Sequence, residues 1–215
     1  EYLCLASKKL LGGVNFCLKG LPFLYQGQEI GMENTVFSSI EEVDDIGTLD
    51  EYKVGLDAGL SPKEALEAAG HFSRDNSRTP MQWSAGEQAG FTTGKPWLAV
   101  NPNYTRINVE SQENDPDSVL NFYRKLTALR KDSRYQEALV YGTFVPYLEE
   151  ETNLIGYLRK TEAQTLLVLA NFQKEGRMVK LPGETAKVLL NNLDGVKIEN
   201  GIISMKPYQF VVLEV

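Results

Sequence analysis

The residues best suited to chemistry lie in one stretch, residues 73–83, which reads SRDNSRTPMQW. Two guanidinium groups, a carboxylate, two carboxamides and an indole fall within ten of these residues. Planar polar groups of this kind can bind the vicinal hydroxyls of a pyranose ring, and an aromatic side chain can pack against its C–H face. The same residue types also hold loops in place, so the stretch by itself leaves both a sugar site and a structural loop open.

Other groups that carry chemistry are few. Glu29 and Asp75 could form the carboxylate pair of a glycoside hydrolase, but the sequence does not determine their separation. His71 is the only histidine, so a metal site or a Ser-His-Asp triad would depend on it alone, and we expect it at a surface or at a helix end. The sequence has no glycine-rich phosphate loop, Cys-x-x-Cys or His-Glu-x-x-His motif. We therefore expect neither a metal site nor a cofactor.

The charge and hydropathy of the chain argue against two classes of partner. Its 215 residues carry a net charge of −7 without a Lys/Arg cluster, so we expect no nucleic-acid binding. No run of about eighteen apolar residues occurs, so we expect no membrane span. Cys4 and Cys17 fall in one predicted helix, roughly 20 Å apart and too far for a disulfide. Two buried thiols indicate a reducing, cytoplasmic location.

The elements that would position the 73–83 stretch follow an α/β pattern. Residues 1–19 have apolar side chains at helical spacing, and Gly12 and Gly13 permit close packing against a sheet. Residues 21–25 form a short apolar run that is typical of a strand buried on both faces. Helix, glycine and buried strand in this order indicate a parallel α/β sheet or barrel.

The chain is irregular for about ninety residues after this strand. A helix is predicted to start at Ser61, because Ser61 and Glu64 form a capping box with proline at the first helical position. Residues 74–116 show no sustained period, yet they contain large apolar side chains that would be unfavourable in water: Met81, Trp83, Phe91, Trp97 and Tyr104. We therefore expect an ordered, functional loop.

The last part of the chain predicts an antiparallel β-sandwich. A helix at 117–132 comes first, with apolar residues on one face and Arg130 and Lys131 at its C-terminal end. A domain boundary is placed at 133–138. Short β-rich runs separated by turn residues follow at 139–147, 153–159, 165–171, 177–181, 186–191, 201–205 and 208–214.

Several stretches resemble glycoside hydrolase family 13, the α-amylase family. Residues 20–32 (GLPFLYQGQEIGM) are similar to the eighth barrel strand and its exit in that family. Residues 73–83 resemble the signature loop of its oligo-1,6-glucosidase and α-glucosidase branch. The similarity continues through 89–92, 96–104 and 107–109 and covers essentially the whole chain. The loop motif is highly specific, whereas the sandwich segment alone would be weak evidence.

The resemblance implies a fold of two classes, α/β plus all-β. Residues 1–135 would be the C-terminal part of a (β/α)8 TIM barrel, comprising its seventh helix, its eighth strand, a long active-site loop and its eighth helix. Residues 136–215 would be a small antiparallel β-sandwich domain. Because the chain opens with Glu1 inside a predicted helix, we expect the N-terminal part of the same barrel upstream, as a partner of this portion.

The resemblance also implies a function on an oligosaccharide substrate. The branch consists of retaining, exo-acting α-glucosidases of short α-glucosides, in which an Asp nucleophile, a Glu acid/base and a third Asp do the chemistry. We expect all three upstream of residue 1, so no catalytic residue is assigned here and this portion alone is expected to be inactive. Arg74 matches the arginine that binds hydroxyls of the non-reducing glucose. Asp75, Asn76 and Arg78 are expected to brace the loop, and Trp83 to lie in the core.

Alternatives stay open within this scaffold and outside it. Trehalose-6-phosphate hydrolases and sucrose isomerases share the scaffold, and a non-catalytic carbohydrate-binding or structural module is a hypothesis of a different class. Relatives often carry a glutamate near the leaving-sugar subsite where this chain has Gly47, which leaves the leaving-group preference open. Linkage specificity depends on residues near the nucleophile, which we expect upstream.

Overall fold

The computed structural model describes residues 4–215, and no helix among them is long and apolar enough to cross a lipid bilayer. They divide into two compact units, the loop unit (residues 25–115) and the sandwich unit (residues 4–24 with 116–215). The α-helices are α1 (Leu5–Cys17), α2 (Ile46–Asp57), α3 (Pro62–His71), α4 (Val109–Glu113) and α5 (Val119–Lys131). Short 3-10 helices lie at Gln28–Ile30, Ile40–Glu42, Arg74–Ser77, Glu87–Gly90 and Pro102–Thr105, and a π-helix lies at Glu137–Tyr141. The strands are β1 (Thr143–Tyr147), β2 (Leu154–Lys160), β3 (Thr165–Asn171), β4 (Arg177–Lys180), β5 (Lys187–Asn191), β6 (Lys197–Glu199), β7 (Ile202–Met205) and β8 (Phe210–Glu214).

The sandwich unit is built on two antiparallel sheets, with strand orders β1-β2-β3-β8-β5 and β4-β7-β6. Alternate residues of a strand point to opposite faces of its sheet. On one face of the larger sheet, Leu166 and Val168 pack in a cluster with residues of α1 and α5. On the other face, Leu167 and Leu169 pack in a cluster with Ile203 of the smaller sheet. The larger sheet is therefore buried on both faces, which explains why β3 is apolar almost throughout.

Most elements predicted from sequence patterns are present. Each of the seven predicted β-rich runs contains a strand, and the helix predicted at 117–132 is α5. Residues 139–141, predicted as the start of a strand, belong instead to the π-helix. The prediction also missed β6, Lys197–Glu199, because two of its three residues are charged and exposed.

The first helix agrees with its prediction over the residues that the structure describes. The helix predicted at 1–19 is α1, Leu5–Cys17, and residues 1–3 lie outside the described residues. Both α1 and α5 belong to the same compact unit as the β-strands. The division into domains at 1–135 and 136–215 stays a prediction.

The segment 21–25 differs from its prediction as a buried strand. It forms no strand, and Leu21 and Phe23 are 79% and 82% exposed. A parallel strand becomes buried only when neighbouring strands and helices cover it, and no strand among the described residues pairs with this segment. For this chain, the prediction of a buried strand is therefore wrong.

The two cysteines lie in different environments. Cys4 precedes α1 as its N-cap residue and is partly exposed, whereas Cys17 is the last residue of the helix and is buried. Both are free thiols. Burial raises the pKa of the Cys17 thiol to about 12. The expectation of two buried thiols is therefore correct for Cys17 only.

The C-terminal end of α1 is held by two arginines of the same unit. Arg130, on α5, donates to the carbonyl oxygen of Phe16 at 2.6 Å. Arg159, on β2 and fully buried, donates to the carbonyl oxygens of Cys17 at 3.2 Å and Gly142 at 2.8 Å. The end of a helix carries unpaired carbonyl groups and a partial negative charge, so both guanidinium groups stabilise it. They tie α1 to a helix and a strand that are distant in sequence.

Substitution of Gly13 by alanine should destabilise the sandwich unit. A Cβ atom at Gly13 would lie 2.6 Å from the ring of Phe210 on β8, closer than packed atoms allow. We expect the free energy of unfolding to fall by about 1–2 kcal/mol, after allowing for the roughly 1 kcal/mol by which alanine favours a helix over glycine. Leu11→Ala, at an exposed position of the same helix, is the control and should change it by no more than about 0.5 kcal/mol. Urea denaturation measures both, and equal effects would show that the ring of Phe210 yields without strain.

Candidate functional site

In the loop unit, the 73–83 stretch begins directly after helix α3. The predicted capping box starts this helix: Ser61 Oγ accepts from the N–H of Glu64 at 3.3 Å, and the Glu64 carboxylate accepts from the N–H of Ser61 at 3.0 Å. Two residues after the helix ends, Ser73 Oγ accepts from the N–H of Asp75 at 3.2 Å and starts a 3-10 helix. These caps fix the backbone that carries the candidate side chains.

Arg74 forms an ion pair with Asp45, the residue before helix α2. Its Nε donates to Asp45 Oδ1 at 2.8 Å, its Nη2 donates to the same oxygen, and its backbone N–H donates to Oδ2 at 3.3 Å. The Arg74 side chain is 66% exposed, whereas that of Asp45 is 5% exposed. Hydrogen bonds from the guanidinium hold the pKa of the Asp45 carboxyl far below its usual range, so Asp45 is ionised at neutral pH. The guanidinium is thus anchored through one edge while most of the side chain remains accessible to solvent.

Asp75 is fully buried and holds the backbone around Asp45. Its Oδ2 accepts from the backbone N–H groups of Asp44 and Asp45 at 2.8 Å and 2.9 Å, and its Oδ1 accepts from Arg78 Nη1 at 3.2 Å. Because both oxygens accept hydrogen bonds within the protein and the side chain is fully buried, Asp75 is not placed to contact a ligand. The carboxylate pair of Glu29 and Asp75, left open by the sequence, is therefore not supported.

Asn76 connects the loop to two other segments of the same unit. Its Nδ2 donates to the carbonyl oxygen of Gly70 at 2.9 Å, and its Oδ1 accepts from the backbone N–H of Thr35 at 3.0 Å. Together with the contacts of Asp75 and Arg78, these bonds hold the loop against helix α3 and against the segment that begins at Thr35. The contacts agree with the bracing role expected for these three residues.

A cavity of about 260 Å³ lies beside the braced loop. This volume is just below the roughly 300–1,000 Å³ of small-molecule sites, which suits a single sugar ring. Both segments of its wall carry the family resemblance, and Arg74 itself does not form part of that wall. The lining residues are Tyr25, Gln26, Gly27, Gln28, Met32, Glu33 and Asn34 from one segment, and Asn76, Ser77, Thr79 and Met81 from the other.

Two neighbouring residues of the loop differ from what the sequence suggests. Trp83, expected in the core, is 50% exposed, so that expectation is wrong. Gln82 is fully buried instead, and its Nε2 donates to the carbonyl oxygen of Ile107 at 2.6 Å and to Asn103 Oδ1 at 2.9 Å. The amide is buried because it satisfies polar groups of the following segment that water cannot reach.

Asp45 is the residue of this site that sequence reasoning missed. Helix α2, which it precedes, was not predicted, and Asp45 is separated from Arg74 by 29 residues. The only available signal was an acidic residue in a helix-starting context, Asp-Ile-Gly-Thr, which does not point to a partner. The pairing follows from the three-dimensional arrangement of the loop unit.

Gly47 lies in the first turn of α2, close to the ion pair. A Cβ atom there would meet only the carboxylate oxygens of Asp45, at 3.8 Å and 3.9 Å, which is ordinary van der Waals contact. Packing does not demand glycine at this position, and a longer side chain would start beside the Arg74–Asp45 pair.

The single histidine joins this network through its backbone, where its carbonyl oxygen accepts from Asn34 Nδ2 at 2.8 Å. His71 is the exposed last residue of α3, in agreement with the expected helix-end position, and its ring meets that of Phe72 edge-on at 4.6 Å between centroids. Within residues 4–215, no three His, Cys, Asp or Glu side chains come together in a group that could hold a metal ion.

Comparisons with known proteins identify the relatives of this chain. Residues 2–142 match the family model of the α-amylase catalytic domain, and residues 154–212 match that of the C-terminal domain of the α-amylase SusG. The chain is 42% identical to the probable oligo-1,6-glucosidase 2 of Bacillus subtilis (strain 168) and 40% identical to the oligo-1,6-glucosidase of Bacillus cereus, over 95% and 97% of its length. It spans 36% and 38% of the lengths of these two relatives.

Solved structures show the same architecture. The chain resembles the trehalose-6-phosphate hydrolase TreA of Bacillus licheniformis with a TM-score of 0.89 and 38% identity. It resembles the isomaltulose synthase SmuA of Protaminobacter rubrum with a TM-score of 0.85 and 38% identity. Each comparison covers 97% of this chain and 38% of the solved chain.

Proposed function

Since this chain belongs to the α-amylase family of glycoside hydrolases, we propose that it is the C-terminal portion of a retaining, exo-acting α-glucosidase of short α-glucosides. Its fold is the C-terminal end of a (β/α)8 barrel followed by a small antiparallel β-sandwich. The oligo-1,6-glucosidases among its relatives support α-1,6-linked substrates such as isomalto-oligosaccharides. The division into a barrel portion at 1–135 and a sandwich domain at 136–215 is part of this proposal.

The hydrogen bonding of the Arg74 guanidinium is the observation that supports this proposal. Its Nε and Nη2 donate to Asp45, and no described residue accepts a hydrogen bond from its Nη1. A guanidinium anchored in this way can still donate to two adjacent hydroxyls of a glucose ring, in a planar geometry that lysine does not offer. Because Asp45 balances the charge of Arg74, the pair suits a neutral sugar. On this basis we propose Arg74 as a substrate-binding residue.

The catalytic carboxylates are proposed to lie upstream of residue 1. A retaining mechanism needs one carboxylate that attacks the anomeric carbon and a second group that gives and takes a proton. Asp45 and Asp75, the acids nearest to Arg74 in the hydrogen-bonding network, are both occupied by bonds within the protein. The contribution of this chain is to hold the non-reducing glucose in place while the upstream groups react.

The upstream part of the barrel is the proposed partner of this chain. The exposed apolar side chains of Leu21 and Phe23 would be covered by neighbouring elements of a barrel. An oligosaccharide is the proposed ligand, without a cofactor, a nucleic acid or a membrane as a further partner. The free cysteines, including the buried thiol of Cys17, support a cytoplasmic location.

A trehalose-6-phosphate hydrolase or a sucrose isomerase is the second candidate. The trehalose-6-phosphate hydrolase of Escherichia coli (strain K12) is 44% identical over 79% of this chain, which is comparable with the oligo-1,6-glucosidases. The structural similarity to TreA and SmuA favours neither activity over the other, since both superpose over nearly the whole chain. A panel of substrates separates them.

The whole protein, with this chain joined to its upstream barrel, should hydrolyse isomaltose and p-nitrophenyl α-glucoside. Nuclear magnetic resonance of the fresh product should show α-glucose first, because two successive displacements retain the anomeric configuration. The 215-residue chain alone should show no turnover. Faster cleavage of trehalose 6-phosphate, or conversion of sucrose to an isomer, would select the second candidate. β-Glucose as the first product, or turnover by the isolated chain, would contradict the proposal.

A further inference from the structure

Asp45 stands where an aspartate usually caps a helix, yet its side chain does something else. It is the N-cap residue of α2, and an N-cap aspartate normally accepts a hydrogen bond from a backbone N–H in the first turn of the helix. No such bond is present; the carboxylate accepts instead from Arg74 and from the hydroxyl of Thr48, at 2.9 Å. Helix α2 therefore lacks the stabilising hydrogen bond of an N-cap side chain. Residues that depart from their usual local role in this way are concentrated at functional sites.

One carboxylate holds both the backbone and the side chain of Arg74. Asp45 Oδ2 accepts from the Arg74 backbone N–H, while Oδ1 accepts from Nε and Nη2. An arginine side chain with most of its surface in solvent samples many rotamers unless it is held. Here the carboxylate of Asp45 is buried and the side chain of Arg74 is exposed. The buried carboxylate restricts the guanidinium to one orientation before a ligand binds.

The anchor is itself fixed by a second carboxylate. The buried Asp75 accepts from the backbone N–H groups of Asp44 and Asp45, which sets the position of the Asp45 main chain at the start of α2. Asp75 also follows Arg74 directly in the 3-10 helix Arg74–Ser77. The result is a closed arrangement in which Asp75 locates Asp45, and Asp45 locates the guanidinium.

We propose that Asp45 is a positioning residue, which orients the Arg74 guanidinium for the hydroxyls of the bound glucose; this inference rests on the glucosidase function proposed above. Asp45 need not touch the sugar, because it acts through Arg74. Its carboxylate stays ionised across the pH range in which the enzyme would work, since the bonds from Arg74 keep its pKa low. The orientation of Arg74 is therefore constant rather than switched by pH.

A double-mutant cycle in the whole enzyme tests the proposal. Asp45→Asn should lower kcat/KM for isomaltose by about tenfold or more, because the amide has no charge and only one acceptor oxygen, so it cannot hold both the guanidinium and the backbone N–H of Arg74. In an Arg74→Ala background the same change should alter kcat/KM by less than about twofold. Asp50→Asn is the matched control, since Asp50 lies on α2, is exposed and forms an ion pair with the exposed Lys53 on the same helix. It should leave kcat, KM and the melting temperature unchanged.

The outcomes separate this inference from the proposed function. An inactive wild-type enzyme, or an Arg74→Ala variant with full activity, would remove the proposed function itself. The positioning role alone would be overturned by another combination of results. In that case the wild type is fully active and Arg74→Ala has lost most of its activity, but Asp45→Asn has the same kcat/KM as Asp50→Asn. A loss from Asp45→Asn that persists undiminished in the Arg74→Ala background would also overturn it, because the effect would then not pass through Arg74.

A second variant keeps the test decisive if Asp45→Asn does not fold. Asp45→Glu keeps the charge but displaces the carboxylate by one methylene group. At a temperature where it is folded by circular dichroism, we expect its inhibition constant for D-glucose to rise at least about threefold. An inhibition constant equal to that of the wild type would overturn the positioning role.

Discussion

Replacing Arg74 with lysine should lower kcat/KM for α-glucosides about a hundredfold in the whole enzyme, while the melting temperature changes little. Lysine keeps the charge but not the planar fork, so it cannot stay bound to Asp45 through two nitrogens and still donate to adjacent hydroxyls. A hundredfold loss corresponds to about 2.7 kcal/mol of transition-state stabilisation, within the roughly 1.5–3 kcal/mol expected for the loss of one hydrogen bond from a charged donor. The stability effect stays small because the Arg74 side chain is largely exposed.

Arg78→Lys is the matched control for this substitution. Arg78 lies four residues further along the same loop and binds the fully buried Asp75, and its side chain is 35% exposed, compared with 66% for that of Arg74. We expect Arg78→Lys to lower the melting temperature more than Arg74→Lys does, and to change kcat/KM less than about threefold. Steady-state kinetics and thermal unfolding of the two variants provide the comparison. Should Arg74→Lys lose stability and activity in proportion, Arg74 would be a loop-bracing residue like Arg78.

Replacing Asp75 with alanine should cause the largest loss of stability in the loop unit, about 3 kcal/mol in free energy of unfolding. The substitution removes a buried acceptor and leaves the backbone N–H groups of Asp44 and Asp45 without one. It also removes the partner of the Arg78 guanidinium. Unpaired buried donors cost about 1–3 kcal/mol each, and relaxation of the loop toward water reduces the sum.

Tryptophan fluorescence during urea denaturation measures this loss, because both tryptophans, Trp83 and Trp97, lie in the loop unit. Asp57→Ala provides the control: Asp57 is the exposed last residue of α2, and its loss should change the free energy of unfolding by no more than about 0.5 kcal/mol. If Asp75→Ala and Asp57→Ala behaved alike, the hydrogen bonds of Asp75 would not stabilise the loop, and the closed arrangement around Arg74 would lose its support.

Local patterns in the sequence determined most of the secondary structure. The capping box at Ser61 and Glu64 starts α3, and the apolar face at 117–132 forms α5. The near-continuous apolar run at 165–171 forms β3, which is buried on both faces. These signals succeed because capping and side-chain periodicity act between residues that are at most a few positions apart. The motif at 73–83 likewise indicates the family, since its residues are contiguous in the chain and can be recognised without knowing their partners.

Only the tertiary structure decided which side chains of the site act on one another. Asp45 and Arg74 meet because α2 and the loop fold together, and no periodic signal connects residues 29 positions apart. Burial was also not readable from hydrophobicity: Trp83 is half exposed while the polar Gln82 beside it is fully buried, since hydrogen bonds across the loop unit satisfy its amide. The apolar segment 21–25 shows the same limit. Its hydrophobic side chains indicate that neighbouring strands or helices should bury it, but the sequence does not show whether such neighbours are present. Burial and pairing depend on the whole arrangement of the chain, whereas helices, strands and caps are set by neighbours.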